Sequence, residues 1–259
     1  MSLVDDLIAQ VPEGAIEQIR VGLHWTAVVV NQGGERRCGL ASTLSEPHKR
    51  GEPAVPEAGE LTRYTGRELI TLAFEEDRPV LSSVGVATIN ALLPDPPPER
   101  IDEEQAESLL ARYGANRTVA LIGHFPFVPR LQSNVGELQV LELRPRQGDL
   151  PADMASEVLP KADVVAITSM ALINRTLESL LELCAPEALV VVLGPSTPMS
   201  PVLFEYGIDI LAGSQIIDIE GVLRAVCQGG NFRQVHRAGV KLIAQQREGL
   251  EEVQVMEQL

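Results

Sequence analysis

The residues best placed to do chemistry gather at one point, Gly194-Pro195-Ser196-Thr197-Pro198, directly after the aliphatic run Leu189-Val190-Val191-Val192-Leu193. A run of β-branched and aliphatic residues without polar alternation reads as a strand buried on both faces, as in parallel sheets. Open α/β sheets bind ligands beyond the carboxyl ends of their strands, so a ligand is expected at this loop. Its prolines fix φ and remove N–H donors, which stiffens it. The hydroxyls of Ser196 and Thr197, with the remaining N–H groups, suit an anion or a polar ligand.

Four other short aliphatic runs end on small or polar residues. Val119–Ile122 leads into Gly123-His124, and Leu138–Leu141 into Glu142. Val164–Ile167 leads into Thr168, with Asn174 and Thr176 at the start of the next helix, and Ile208–Leu211 leads towards Gly213-Ser214. His124 has the side chain that titrates near neutrality, so it is a candidate acid, base or metal ligand, or else a loop histidine held by hydrogen bonds. Glu142 follows the first strand-to-helix turn by about twenty residues, the spacing at which an acid meets a ribose hydroxyl. The alternative is a strand-end carboxylate paired with Arg144 or solvated. Asn174 or Thr176 is placed to cap the helix beginning at Leu177, with or without a ligand contact. Asn90 lies late in the apolar stretch Val84–Ala91, where an unpaired amide costs about 1–3 kcal/mol. It is either a structural amide bonded to the backbone or a group facing a cleft between domains.

Several familiar patterns are missing. Gly123-His124-Phe125-Pro126 offers one glycine where a dinucleotide turn needs two or three, and there is no phosphate-loop lysine motif, which argues against NAD. Cys38, Cys184 and Cys227 are far apart, and His24, His48, His124 and His236 form no pair at metal-ligand spacing. Zinc and softer metals require several such ligands together, so no protein metal site is expected. Unpaired cysteines suit a reducing compartment.

The elements that must position these groups fall into two patterns. Before the proline-rich seam Leu93–Arg100, a helix over Leu3–Gln10 precedes the Val/Ile-rich segments Ile16–His24 and Trp25–Asn31, with a turn at Asn31-Gln32-Gly33-Gly34. This predicts a small antiparallel meander. A loop over Pro47–Leu61 and helices over Thr65–Glu76 and Pro79–Leu93 follow. After the seam, a helix from Asp102 to Tyr113 leads into five strands alternating with helices, one of which places Leu177, Leu180, Leu181 and Cys184 on a single face. The pattern predicts an α/β protein: a small α+β domain over residues 1–96, then a doubly wound, mainly parallel sheet over 97–259.

The chain of 259 residues is 45% hydrophobic and only 3% aromatic, with a net charge of −15. That charge argues against nucleic acid and anionic membranes. No window reaches the roughly 18 apolar residues of a membrane span, and the acidic amino terminus does not resemble a signal peptide. A cytoplasmic protein with a small-molecule partner is expected, and a homo-oligomer is compatible with these features.

The segments Val84–Leu93 (VGVATINALL), Ala162–Leu180 (ADVVAITSMALINRTLESL) and Val190–Gly213 (VVVLGPSTPMSPVLFEYGIDILAG) resemble a bacterial and archaeal family labelled as a putative heavy-metal chelation domain of unknown function. The resemblance covers nearly the whole chain, and Gly194–Pro198 is its most specific motif. It implies an enolase N-terminal-like domain followed by a Rossmann-like domain, with a shared site holding Asn90, Thr168, Asn174, Gly194, Ser196 and Thr197. It also implies a link to pterin-, flavin- or siderophore-like chelators and a partial likeness to methyltransferases. Any heavy metal is then expected as a metal–chelator complex carried by the ligand.

Three functions are therefore expected in competition. One is an enzyme acting on a small polar metabolite between the domains, with Ser196, Thr197, Pro195, Gly213 and Ser214 around it and His124 or Glu142 moving protons. Another is a non-catalytic binding protein for a chelator or its metal complex. The third is an S-adenosylmethionine-binding, methyltransferase-like protein, against which the missing glycine-rich turn counts.

Overall fold

The computed structural model describes residues 2–45, 53–76 and 78–250. His48 and part of the Pro47–Leu61 loop lie outside the described residues. The chain opens with α1 (Leu3–Gln10), whose first turn is closed by a reciprocal cap between Ser2 and Asp5. Three antiparallel strands follow in the order β1 (Ala15–Val21), β2 (Trp25–Gln32) and β3 (Glu35–Ser42). Then come α2 (Gly66–Glu75), capped by Thr65, and α3 (Pro79–Leu92), which begins on its proline.

Helix α3 is apolar on every side, and the structure shows why. One face packs on the inner face of the small sheet, through Val28, Val30 and Ala41. Another packs on α2, where Gly85 lies against Ala73 and Phe74, and the helix shares a continuous core with the second half of the chain, through Val165, Ile167, Val190 and Val192. A helix apolar all round is a buried helix. Gly39 permits the approach of β3: a Cβ there would stand 2.1 Å from the carbonyl oxygen of Ala87 and 2.3 Å from the nitrogen of Ala91.

Beyond the seam, α4 (Ala106–Tyr113) is shorter than the helix expected from Asp102. Asp102 instead pairs its backbone with Ala244 and accepts the Glu104 N–H on its side chain. The remaining elements are β4 (Thr118–Ile122), α5 (Val128–Leu131), β5 (Glu137–Glu142), β6 (Leu150–Pro151), α6 (Ala155–Val158), β7 (Val164–Thr168), α7 (Met170–Ile173), α8 (Leu177–Leu181), β8 (Leu189–Leu193), β9 (Ile210–Ile216), α9 (Ile219–Cys227), α10 (Phe232–Arg237) and β10 (Val240–Gln246). The sheet order is β10-β9-β8-β7-β4-β5-β6, parallel throughout except for β10. The five expected strands are all present. The last begins at Ile210 and runs to Ile216, because Asp209 is spent on bonds from the Val190 N–H (2.9 Å) and the Arg247 guanidinium (3.0 Å). The chain reverses direction across the sheet between β4 and β7, the switch point at which doubly wound sheets open a crevice.

Helices α9 and α10 do not cover the large sheet alone. With Val222, Leu223, Val226 and Val235 they bury the outer face of the small sheet at Trp25, Ala27, Val29 and Leu40. Strand β2 is therefore buried on both faces, and its unbroken Val/Ala run has the same cause as that of β8.

Candidate functional site

The strand register brings the expected residues to one rim. Ile122 pairs with both Leu141 and Ile167, Thr168 with Leu193, and Leu193 with Ala212. Gly123, Glu142, Thr168, Gly194 and Gly213 therefore follow one another along the carboxyl edge. Much of this rim is filled by protein. Gly194, at φ 128°, has the Ser169 hydroxyl 2.6 Å from where a Cβ would lie. Gly213 is faced by the Met199 sulfur, and Gly123 rests against Thr168.

The hydroxyls of the Gly194–Pro198 loop do not form an open receptor. Ser196 and Thr197 are fully buried. The Ser196 hydroxyl accepts the N–H of Ser42 at 2.8 Å and donates to the Ser42 hydroxyl at 3.3 Å. Its carbonyl accepts from the Asn90 amide at 3.0 Å, and the same amide nitrogen donates to the Leu40 carbonyl at 2.9 Å. The loop thus ties the carboxyl end of β8 to β3 and α3. Its hydroxyls are short because they must fit inside a seam between the two halves.

That arrangement fixes the Asn90 side chain. Its nitrogen faces two carbonyls, so the amide cannot flip, and its Oδ1 is buried with no protein donor. Asn90 borders a polar pocket of about 110 Å³ between the halves, together with Arg37, Cys38, Ser214 and Gln215. Arg37 reaches across the carboxyl end of α3 to the carbonyls of Ala91 (3.3 Å) and Leu93 (2.8 Å) and pairs with Asp95 at 3.2 Å. Arg36 pairs with Glu17 and Glu220. Both guanidiniums are thus engaged by carboxylates. Ser214 donates to the Pro195 carbonyl at 2.8 Å. Desolvation pushes the Cys38 thiol up to about 12, so this wall presents a neutral thiol.

At the switch point the imidazole Nδ1 of His124 lies 3.0 Å from both carboxylate oxygens of Asp149, which also accepts the Arg146 N–H. An aspartate on Nδ1 orients a histidine and favours the tautomer that leaves Nε2 for another partner. Glu142 is spent on the backbone. One oxygen accepts the His124 N–H at 3.0 Å, and the other accepts those of Leu143 and Arg144. It serves as a clamp on the first loop, with both oxygens engaged by backbone N–H groups. Asn174 accepts the N–H and hydroxyl of Thr176 and so shapes the turn before α8; neither side chain caps a helical N–H.

Sequence reasoning missed Ser42, Leu40, Arg37 and Asp149, whose partners lie between 25 and 154 residues away. Gly194, Pro195 and Gly213, expected at a ligand site, line a second cavity of about 270 Å³ across the β9 wall, whose aromatic lining the sequence did not reveal. Phe125, Phe127, Leu193, Pro195 and Phe232 are among its lining residues.

A family model described as "Putative heavy-metal chelation", DUF364, matches residues 106–245. A second with the same description, DUF4213, matches residues 4–93. The chain belongs to the DUF364 family. An uncharacterised protein of Methanocaldococcus jannaschii is 28% identical over 207 residues, which is 78% of each chain. A DUF364 protein of unknown function from Desulfitobacterium hafniense superposes with a TM-score of 0.79 at 25% identity, covering 95% of this chain and 98% of that one. Another from Pyrococcus horikoshii gives 0.78 at 22% identity, covering 94% and 98%, which supports the fold alone.

The heavy metal in the family's description can be tested against the donors of this DUF364 chain. Among the described residues no three His, Cys, Asp or Glu side chains converge as a metal group. Cys38 and Cys184 are separate, and burial pushes their thiols up to about 12 and about 11. Thiolates are the form that binds soft metals, and burial here opposes that form. The described residues do not fit a heavy metal bound directly by their side chains. No helix among the described residues is long and apolar enough to cross a membrane.

Proposed function

We propose that this DUF364 protein binds a small, polar, uncharged metabolite of the chelator class, in its protonated and metal-free form, in the pocket at Asn90, and that any heavy metal is held by such a metabolite rather than by the protein. The observation that carries the proposal is the Oδ1 of Asn90: buried, held in one orientation and short of a donor, beside a pocket of about 110 Å³. An unmet buried acceptor costs about 1–3 kcal/mol, and a ligand O–H or N–H removes that cost. Metal-chelating groups such as hydroxamic acids and catechols present O–H donors beside further oxygen atoms. Their uncharged forms suit a pocket whose arginines are already neutralised. The pocket admits one such group, with the rest of the molecule outside.

A catalytic version of this function draws on His124, the one imidazole among the described residues oriented by a buried carboxylate. It would require the metabolite to reach from Asn90 to the switch point.

Thermal unfolding with acetohydroxamic acid, catechol, S-adenosylmethionine, Cd²⁺ and Zn²⁺ tests the proposal. Ligands that bind only the folded state raise the midpoint by mass action. The hydroxamate or catechol is expected to raise it, and less so in Ser214→Ala. A shift from bare metal ions without any from the chelators, or chelator shifts unchanged in Ser214→Ala, would overturn it.

A further inference from the structure

The cavity across the β9 wall carries an inference that does not depend on Asn90. Ala212 and Gly213 line this cavity, and the next residues along β9, Ser214 and Gln215, line the polar pocket. The bond from Ser214 to the Pro195 carbonyl closes the wall between them.

The chain holds only five Phe, three Tyr and one Trp. Three of those five phenylalanines, Phe125, Phe127 and Phe232, line this one cavity. Phe125 and Phe127 stack with centroids 5.1 Å apart at 17°, and the single tryptophan, Trp25, backs Phe232 at 5.5 Å. A hydrophobic core in this chain is otherwise built from Leu, Val, Ile and Ala, so packing alone does not call for three rings here. The charges at the cavity are paired with each other. Arg130 bonds the carboxylate of Glu107 through two nitrogens, which holds that carboxyl below its usual range, and Glu104 pairs with Arg112 at 2.9 Å. No charge at the mouth is left to select an ionic ligand.

We infer that this cavity is a second ligand site, which takes an uncharged planar aromatic compound of two fused rings. An apolar cavity of roughly 150 Å³ holds one benzene ring, so 270 Å³ accommodates about two. A flat ring extends the Phe125–Phe127 stack, where offset aromatic pairs gain more than their buried area alone provides.

Equilibrium dialysis of the full chain with 2-naphthol, 2-naphthoate and the saturated alcohol 2-decalol tests this. Saturable binding of 2-naphthol is expected, at least tenfold tighter than either analogue. Phe125→Leu and Phe232→Leu, which keep the site apolar, should each weaken it at least fivefold, while Phe74→Leu, remote from the cavity, leaves it unchanged. Equal binding of 2-decalol or 2-naphthoate, no loss in both cavity variants, or no binding of 2-naphthol would each overturn the inference. Binding at the Asn90 pocket is scored separately with acetohydroxamic acid, so failure of either site leaves the other standing.

Discussion

One nitrogen of Asn90 bonds the carbonyl of Ser196 at 3.0 Å while also bonding that of Leu40, so a single amide joins α3, β3 and the loop after β8. Its oxygen is buried without a hydrogen-bond partner, in a residue that borders the polar pocket.

Replacing that amide discriminates its two atoms. Asn90→Ala removes the donor from two carbonyls and should cost about 1–3 kcal/mol in denaturant unfolding. Asn90→Asp places a carboxylate oxygen against the same carbonyls. The folded-state pKa of that carboxyl should rise above its unfolded value of about 3.9. Its neutral form is then favoured by folding, so the penalty is least below pH 4 and grows as pH rises through the folded pKa. Urea midpoints at pH 4 and pH 7 check the sign: the gap between variant and wild type should widen at pH 7.

The seam can be opened from the loop side. Ser196→Ala leaves the buried Ser42 N–H without its acceptor, and a loss of about 1–3 kcal/mol is expected. Gly194→Ala should also destabilise, from the clash with the Ser169 hydroxyl and from a φ of 128° that L-residues rarely adopt. Adding Ser169→Ala should restore only the steric part, as a double-mutant cycle of unfolding free energies would show.

Gly39→Ala should be more damaging than either, because its Cβ would meet the backbone of α3, which cannot rotate away. A fall in soluble yield or a loss beyond the usual 1–3 kcal/mol of overpacking is the expected outcome.

The thiols should separate by environment. Cys227 is exposed, whereas burial raises Cys38 to about 12 and Cys184 to about 11. Iodoacetamide at pH 8 should label Cys227 first, and peptide mass mapping reads the order. Because the folded pKa of Cys38 lies above the unfolded value, its contribution to stability is full below pH 9 and is lost as pH rises from there to about 12. Cys38→Ala should flatten that alkaline decline.

Much of this was legible in the sequence because the decisive signals are local. The unbroken aliphatic runs marked five parallel strands, Pro79 marked the start of α3, and the helix expected from Thr65 begins one residue later as α2. Strand β6 has two residues and no pattern to read. Strand β10 is antiparallel and continues after a helix, where a sixth alternating unit was not expected. The rim was also legible, but its use was not. Ser196 read as a ligand group because nothing in the sequence reveals that Ser42, 154 residues away, occupies it, whereas the Thr197 hydroxyl is buried without a hydrogen-bond partner. Asn90 carried both readings at once: its nitrogen is a structural donor to two backbone carbonyls, and its oxygen is buried without a partner in a residue that borders the pocket.

The central claim is met most directly by diffraction from crystals soaked in acetohydroxamic acid. The account predicts density for the hydroxamate between the two halves, with its O–H or N–H at hydrogen-bond distance, about 2.7–3.2 Å, from Asn90 Oδ1. Hydroxamate bound elsewhere, with only water facing that oxygen, would contradict it.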